Sequence, residues 1–113
     1  MLRLSELKLP LDHSAADLEA AITQRLRLAP GELRRHQLVK RSVDARRRGA
    51  ISLVYCLDLE LEGAARRRLL RRFAGDPHLR PTPDSRYRPV ARAEGSSGEL
   101  RPVVVGAGPC GYF

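Results

Sequence analysis

Three glycines near the end of the chain have the types and spacing needed to bind a dinucleotide. Gly106, Gly108 and Gly111 form the pattern Gly-x-Gly-x-x-Gly directly after the apolar run Val103–Val105. In a dinucleotide-binding βαβ unit, the first glycine makes the tight turn and the second lets the backbone approach the pyrophosphate. The third lets the helix pack on the strand. The helix N-terminus then offers N–H groups to the phosphates. The pattern therefore predicts the opening of a cofactor-binding domain.

The sequence ends at Phe113, before such a unit could be complete. The helix after Gly111, the second strand and the acidic residue that holds the ribose about 20 residues further on are missing. We therefore expect a fragment that is cut in the first turn of a nucleotide-binding domain. By themselves the three glycines would be a glycine-rich turn without a pocket, so we expect no bound cofactor in the fragment.

The composition indicates one folded domain without a membrane span. The 113 residues include 42% hydrophobic residues, only 4% aromatic residues and no Trp, so leucine and valine must form the core. No stretch approaches the roughly 18 apolar residues of a membrane span, and the N-terminus lacks a signal-peptide pattern. We predict a cytoplasmic protein without a membrane partner.

Residue types that often bind metals or perform catalysis are scattered along the chain. His13, His36 and His78 are far apart and have no ligand or triad spacing. Cys56 and Cys110 have no partner at metal-ligand spacing. We predict two free thiols, no metal site and no catalytic residue in this chain.

Hydrophobic periodicity predicts six elements in the order β-α-β-β-α-β. Their predicted ranges are strand Leu2–Leu11, a helix from Ser14 to the terminator Ala29–Gly31, strand Val39–Arg46, strand Ala50–Glu62, helix Ala64–Ala74 and strand Tyr87–Ala93. This order fits a ferredoxin-like α+β sandwich, with two helices on one face of an antiparallel sheet. We assign residues 1–93 to this domain, residues 94–101 to a flexible linker and residues 102–113 to the truncated start of a Rossmann unit.

Two of these elements have the clearest patterns. Ser14 and Asp17 have the spacing of a capping box at a helix N-terminus. One face of the third strand is predicted to be buried, and it consists of Ile51, Leu53, Tyr55, Leu57, Leu59 and Leu61. The other face ends in Asp58, Glu60 and Glu62. We expect these carboxylates to meet arginines rather than to perform acid–base chemistry.

Positive charge is concentrated in two blocks. The net charge is +8, with +5 over residues 32–48 and +7 over residues 64–92. The second block forms a basic helix face of Arg66, Arg67, Arg68, Arg71 and Arg72. Nucleic-acid phosphates are one candidate partner, but RNA-binding sheets stack bases on aromatic side chains, and the candidates are Tyr55 and Tyr87. We therefore favour a solvated face, or a docking face for a missing domain, over nucleic acid.

The first block contains a second cluster of Lys40, Arg41, Asp44 and Arg46. In one interpretation, Asp44 pairs with a nearby arginine and caps the backbone of a turn. In the other, the cluster is an anion-binding turn that faces the active site of the parent protein. We favour the first interpretation.

Three stretches of the chain carry a resemblance to known proteins. They are Lys40–Arg46, Asp76–Asp84 and Arg101–Gly111. With them, essentially the whole chain resembles the N-terminal region of uncharacterised bacterial FAD-dependent dehydrogenases, within the NAD(P)/FAD-dependent oxidoreductase family. The resemblance implies a much longer parent flavoprotein whose FAD domain begins near Arg101, with the three glycines against the FAD pyrophosphate. It implies no particular substrate.

From these observations we predict the N-terminal accessory domain of an FAD-dependent oxidoreductase. The flavin would carry the redox chemistry, and the fragment would pack on the flavoprotein core without being catalytic itself. The expected partners are the rest of the parent flavoprotein and an unidentified small-molecule substrate. The alternative is a free-standing basic ferredoxin-like module that binds RNA or another anionic partner.

Overall fold

Four β-strands and two α-helices form the fold. In the computed structural model, which describes residues 1–46, 49–89 and 103–109, the elements are β1 (Leu2–Pro10), α1 (Ala15–Leu26), β2 (Leu33–Asp44), β3 (Ser52–Leu61), α2 (Gly63–Arg72) and β4 (Leu79–Pro81). Neighbouring strands all pair antiparallel, in the order β2-β3-β1-β4. The predicted α+β class is therefore confirmed. Within the described residues, neither helix is long and apolar enough to cross a membrane.

The hydrophobic core lies between the helices and one face of the sheet. It consists of Leu2, Leu4, Leu7, Leu9, Ile22, Leu26, Leu28, Tyr55, Leu57, Leu59, Leu61, Leu69 and Leu79. Each fully buried leucine contributes about 1.5–3 kcal/mol relative to an exposed one, so these side chains hold the helices on the sheet. The expectation that leucine would form the core is confirmed. Valine contributes little, since Val39 and Val43 are exposed.

A bulge in β1 keeps four leucines on the same face of the sheet. Leu4 lies opposite Leu57, whereas Leu7 lies opposite Tyr55, so β1 contains one extra residue between these pairs. Glu6 lies in this bulge and has a left-handed φ of 56°. Without this bulge, strict alternation would turn Leu7 away from the core.

Helix α1 begins where the sequence predicts and ends earlier. The Ser14 hydroxyl accepts a hydrogen bond from the Asp17 backbone N–H at 3.2 Å, and the Asp17 carboxylate accepts one from the Ser14 N–H at 2.7 Å. The predicted capping box is therefore confirmed. The helix ends at Leu26 because Arg27 is left-handed, with a φ of 51°. The predicted terminator Ala29–Gly31 lies beyond this end.

Strand β2 starts six residues before the predicted Val39. It is an edge strand, and its register against β3 shifts between Leu33 and Arg35 and again between Leu38 and Lys40. Each shift inserts one residue and reverses the alternation of faces. The first half of the strand therefore shows no period of two in the sequence.

The last strand, β4, lies before the predicted Tyr87–Ala93. Leu79 is buried and pairs with Leu4, and Pro81 pairs with Leu2 at the opposite edge of the sheet from β2. An edge strand tolerates proline because it needs no donor on its outer side. Residues 82–89 contain no strand, so the prediction of a strand at Tyr87 is wrong. Residues 90–93 lie outside the described residues.

Little of the predicted C-terminal unit is described. The predicted linker, residues 94–101, lies outside the described residues, as do Cys110 and Gly111. Val103–Val105 are described; they are exposed and belong to no strand. The Rossmann unit therefore stays a prediction.

Candidate functional site

The sheet face opposite the helices is polar, and the described strands contribute no aromatic side chain to it. The alternating positions of the central strand β3 place Val54, Cys56, Asp58 and Glu60 there. Tyr55 is the one Tyr, Phe or Trp in the described strands, and it points into the helix-side core. This face therefore lacks the stacking platform that RNA-binding sheets use.

Asp58 is the buried charge of this polar face. Its two carboxylate oxygens accept hydrogen bonds from Arg3 Nε and Nη2, both at 2.8 Å, and the Thr82 hydroxyl donates to the same carboxylate at 3.1 Å. The Arg3 guanidinium holds the pKa of Asp58 below its ordinary value. The prediction that this carboxylate meets an arginine is confirmed.

The other two carboxylates of the predicted acidic face have separate surroundings. Glu62 caps α2, because its side chain accepts hydrogen bonds from the N–H groups of Ala64 at 2.8 Å and Ala65 at 3.2 Å. These backbone donors, with that of Ala65 first, lower the pKa of Glu62. Glu60 is exposed. The three carboxylates thus have separate surroundings, and no two of them share a proton.

Asp44 organises the end of the β2–β3 hairpin. It accepts hydrogen bonds from Arg46 Nε and Nη2 at 2.8 Å each, and from Lys8 Nζ at 2.9 Å. These cations, Arg46 first, hold the pKa of Asp44 far below its ordinary value. The local-pairing interpretation is confirmed. Neither Lys40 nor Arg41 joins the cluster, because the described side-chain partners of Asp44 are Lys8 and Arg46.

A groove of about 960 Å³ lies beside Asp44 at this end of the sheet. Lys8 and Arg46 supply its charged wall, and Leu9 and Ile51 contribute to its apolar wall. Sequence analysis missed Lys8, which lies 36 residues before Asp44. Only the pairing of β1 and β2 on either side of β3 brings the two together. Asp44 forms ion pairs with both of these cations. The alternative interpretation, in which this turn binds an anion, is not tested by these contacts.

The basic face of α2 divides into paired and unpaired arginines. Arg68 donates two hydrogen bonds of 2.7 Å to the Glu32 carboxylate and lowers the pKa of Glu32 to about 2. The Arg72 guanidinium lies 5.4 Å from the centre of the Phe73 ring. The remaining three arginines are exposed and form no ion pair within the described part of the chain; they are Arg66, Arg67 and Arg71.

The histidines make separate local contacts. His13 Nδ1 lies 2.7 Å from the Pro10 carbonyl oxygen and its Nε2 lies 2.9 Å from the Tyr55 hydroxyl. In the neutral imidazole, the carbonyl accepts from Nδ1–H and Nε2 accepts from the tyrosine hydroxyl. His36 lies 3.8 Å from Glu19, and His78 lies 3.3 Å from a serine hydroxyl. Among the described residues, no three metal-ligating side chains converge, and Cys56 is a half-buried free thiol.

Two of the three predicted cofactor-binding glycines are described. Gly106 has a φ of 107°, in the region that favours glycine, which fits the tight turn of a dinucleotide-binding unit. A Cβ on Gly108 would meet no atom within 4 Å. The described residues place no atoms around either glycine, Gly111 lies outside them, and the dinucleotide site therefore stays a prediction.

One relative of the chain is much longer than the chain itself. An uncharacterised protein of Clostridium beijerinckii is 28% identical over 114 aligned positions, which cover 99% of this chain and 20% of the relative. The chain therefore spans about a fifth of the length of this relative.

Part of the chain also matches a known protein family. Residues 1–60, which cover β1, α1, β2 and most of β3, match the family described as "Domain of unknown function (DUF8436)". Neither this description nor that of the relative names a flavin or a dehydrogenase, so the predicted membership among FAD-dependent dehydrogenases is wrong. Because the match extends over slightly more than half of the 113 residues, the chain belongs to the DUF8436 family.

Proposed function

We propose that residues 1–89 form an accessory domain of a longer protein in which a dinucleotide-binding unit opens at Gly106. The observation that carries this proposal is the left-handed conformation of Gly106, at the first glycine of Gly-x-Gly-x-x-Gly. The fivefold greater length of the Clostridium relative supports a longer parent. The cofactor that we propose is FAD, and the parent activity that we propose is an oxidoreductase.

For the accessory domain we propose a ferredoxin-like arrangement. The element order β-α-β-β-α-β supports it, as does a sheet in which β1 and β3 are the central strands. Side chains of both helices belong to one core cluster, which fits helices on a single face.

In the proposed parent protein, the flavin-binding part and the accessory domain have different roles. Bound flavin would supply the electron-transfer chemistry, while Gly106, Gly108 and Gly111 would let the backbone approach its pyrophosphate. Residues 1–89 would pack on the flavin-binding part, and we assign them no catalytic step. The substrate would be a small molecule bound by the remainder of the parent.

The visible absorbance of the full-length product of this reading frame tests the proposal. We expect flavin absorbance in the full-length protein and none in the 113-residue chain. Gly106→Val in the full-length protein should abolish flavin binding because valine does not tolerate this φ. The matched control is Gly49→Val, which strains a hairpin glycine with a φ of 78° and open space around it, away from the turn. A colourless protein that takes up no added FAD, or a stop codon directly after Phe113, would refute the proposal.

The unpaired arginines of α2 favour a second candidate, a free-standing basic module that binds RNA or another anionic partner. The absence of aromatic side chains from the described polar face of the sheet weighs against RNA. Retention of nucleic acid that falls steeply with salt during purification would support this candidate. Protein that is free of nucleic acid and has no affinity for oligonucleotides at low salt would exclude RNA.

A further inference from the structure

We propose that the outer face of α2 docks on an acidic surface of the remainder of the longer protein. This inference rests on the proposed function, because it needs a parent protein beyond the accessory domain. The docking face is defined by Arg66, Arg67 and Arg71, with Arg72 and Phe73 at its C-terminal end.

The arginines of this face are electrostatically unfavourable in the isolated domain. Arg67 and Arg71 are four residues apart on the helix, where like charges repel each other and destabilise it. The first turn of α2 contains no acidic residue, and the carboxylate of the N-cap residue Glu62 accepts hydrogen bonds from the backbone of Ala64 and Ala65 rather than from an arginine. Arg66 and Arg67 lie near the positive end of the helix dipole, which adds to the repulsion. An acidic partner would relieve both effects.

Several cations elsewhere in the domain pair with carboxylates. Arginines bound to carboxylates include Arg3, Arg25, Arg46, Arg68, Arg86 and Arg88. On the basic edge strand β2, Arg35 lies opposite Glu60, and Arg34 is close enough to Glu62 to lower the pKa of that carboxyl. Within the described residues, Arg66, Arg67 and Arg71 are therefore three exposed arginines of one helix that form no ion pair.

The surroundings of this face favour a folded protein partner over nucleic acid. Phe73 lies between the guanidinium groups of Arg25 and Arg72, each 5.4 Å from the ring centre. Arginine and aromatic residues are enriched in protein interfaces. Asp76, paired with Arg25, and Glu32, paired with Arg68, border the face with negative charge. A nucleic acid that tracked along its phosphates past this face would meet these carboxylates, which repel phosphate.

Arginine-specific labelling with a dicarbonyl reagent, read by mass spectrometry, tests the docking face. The 113-residue chain and the full-length protein are labelled under the same conditions. We expect the reactivity of Arg66, Arg67 and Arg71 to fall several-fold in the full-length protein, while Arg35 and Arg80 on the polar sheet face stay equally reactive. Unchanged reactivity of the α2 arginines would overturn the inference.

Binding in trans gives the second measurement. The 113-residue chain is mixed with the separately produced remainder of the parent. Replacing Arg66, Arg67 and Arg71 by glutamine should raise the dissociation constant about tenfold or more. This variant should fold because glutamine is a good helix former and the helix loses its like-charge pair. The control replaces Arg35, Lys40 and Arg80 by glutamine, which removes the same charge from the polar sheet face and should leave binding unchanged. Equal effects of the two variants would overturn the inference.

The outcomes separate this inference from the proposed function. A full-length protein that binds flavin but leaves the α2 arginines fully reactive would refute the docking face alone. A full-length protein without flavin whose α2 arginines are protected would refute the flavin proposal alone. A third outcome would also overturn the inference. A single-stranded RNA oligonucleotide at physiological salt would protect these arginines in the 113-residue chain, while in the full-length protein without RNA they would stay reactive. The face would then bind nucleic acid.

Discussion

Asp58 connects three segments of the chain through one carboxylate. Arg3 comes from β1, Asp58 from β3 and Thr82 from the chain after β4. A carboxylate that is 9% exposed is costly unless it is paired and hydrogen-bonded. The bidentate arginine meets this requirement and at the same time fixes the pairing of β1 with β3. The role of this acid is therefore to hold the sheet together.

We expect Asp58→Asn to lower the free energy of unfolding by about 2 kcal/mol, because Arg3 loses its charged partner and one of its acceptors. Urea unfolding of the 113-residue chain, followed by circular dichroism, measures the change. Glu60→Gln is the matched control, since it removes an exposed carboxylate from the same strand face, and it should change stability by less than about 0.5 kcal/mol. Equal losses in the two variants would contradict this role of Asp58.

At the scale of the elements, the capping box at Ser14 defines where α1 begins. Ser14→Ala should destabilise the domain by about 1 kcal/mol, because the Asp17 N–H loses its acceptor and the Asp17 carboxylate loses the hydroxyl donor. Ser14→Thr keeps both the acceptor and the hydroxyl donor at the cap and should retain most of the stability. Urea midpoints at constant slope measure both variants. If alanine and threonine were equally destabilising, loss of the cap would not be the cause.

Elements that depend on local signals could be predicted, and those that depend on register could not. The alternation of Tyr55, Leu57 and Leu59 and the capping box at Ser14 are contained in a few consecutive residues. The start of β2 was missed because its bulges reverse the faces within the strand. β4 was misplaced because it is three residues long and ends in a proline, which only the edge of a sheet accepts.

The candidate sites follow the same rule. The φ of 107° at Gly106 agrees with the glycine pattern, because such a pattern constrains the backbone directly, while the dinucleotide site itself stays a prediction. The pair of Asp44 and Arg46 could also be predicted, because the two residues are neighbours in the chain. Lys8 could not, since its contact with Asp44 requires the assembled sheet. The pair of Glu32 and Arg68 could not be predicted either, because the two residues are 36 positions apart in the chain. This ion pair distinguishes Arg68 from the arginines of α2 that have no carboxylate partner.

At the scale of the whole molecule, the carboxylates are largely committed to the folded state while many arginines are not. The net charge is +8. Seven described carboxyls have pKa values below their ordinary range: Asp17, Glu32, Asp44, Asp58, Glu62, Asp76 and Asp84. Acid therefore removes attraction within the fold and raises its positive charge at the same time.

Glu32 is the carboxylate for which this loss of stability in acid can be described most specifically. Its pKa is about 2 in the folded domain, against 4.5 ordinarily, because Arg68 and the Ala29 N–H stabilise the carboxylate. Between these values the unfolded chain binds more protons than the folded one. The stability that Glu32 contributes is therefore complete above about pH 4.5 and is lost as the pH falls towards about 2.

Glu32→Gln should accordingly be less stable than the natural chain near neutral pH, and the difference should shrink as the pH falls from about 4.5 towards about 2. Urea unfolding at a series of pH values measures this convergence. Glu19→Gln is the control, because Glu19 is exposed and lies 3.8 Å from His36, beyond hydrogen-bond distance. It should leave the acid limb of the stability curve unchanged. A Glu32→Gln curve that runs parallel to that of the natural chain through this range would show that the pair with Arg68 does not stabilise the fold.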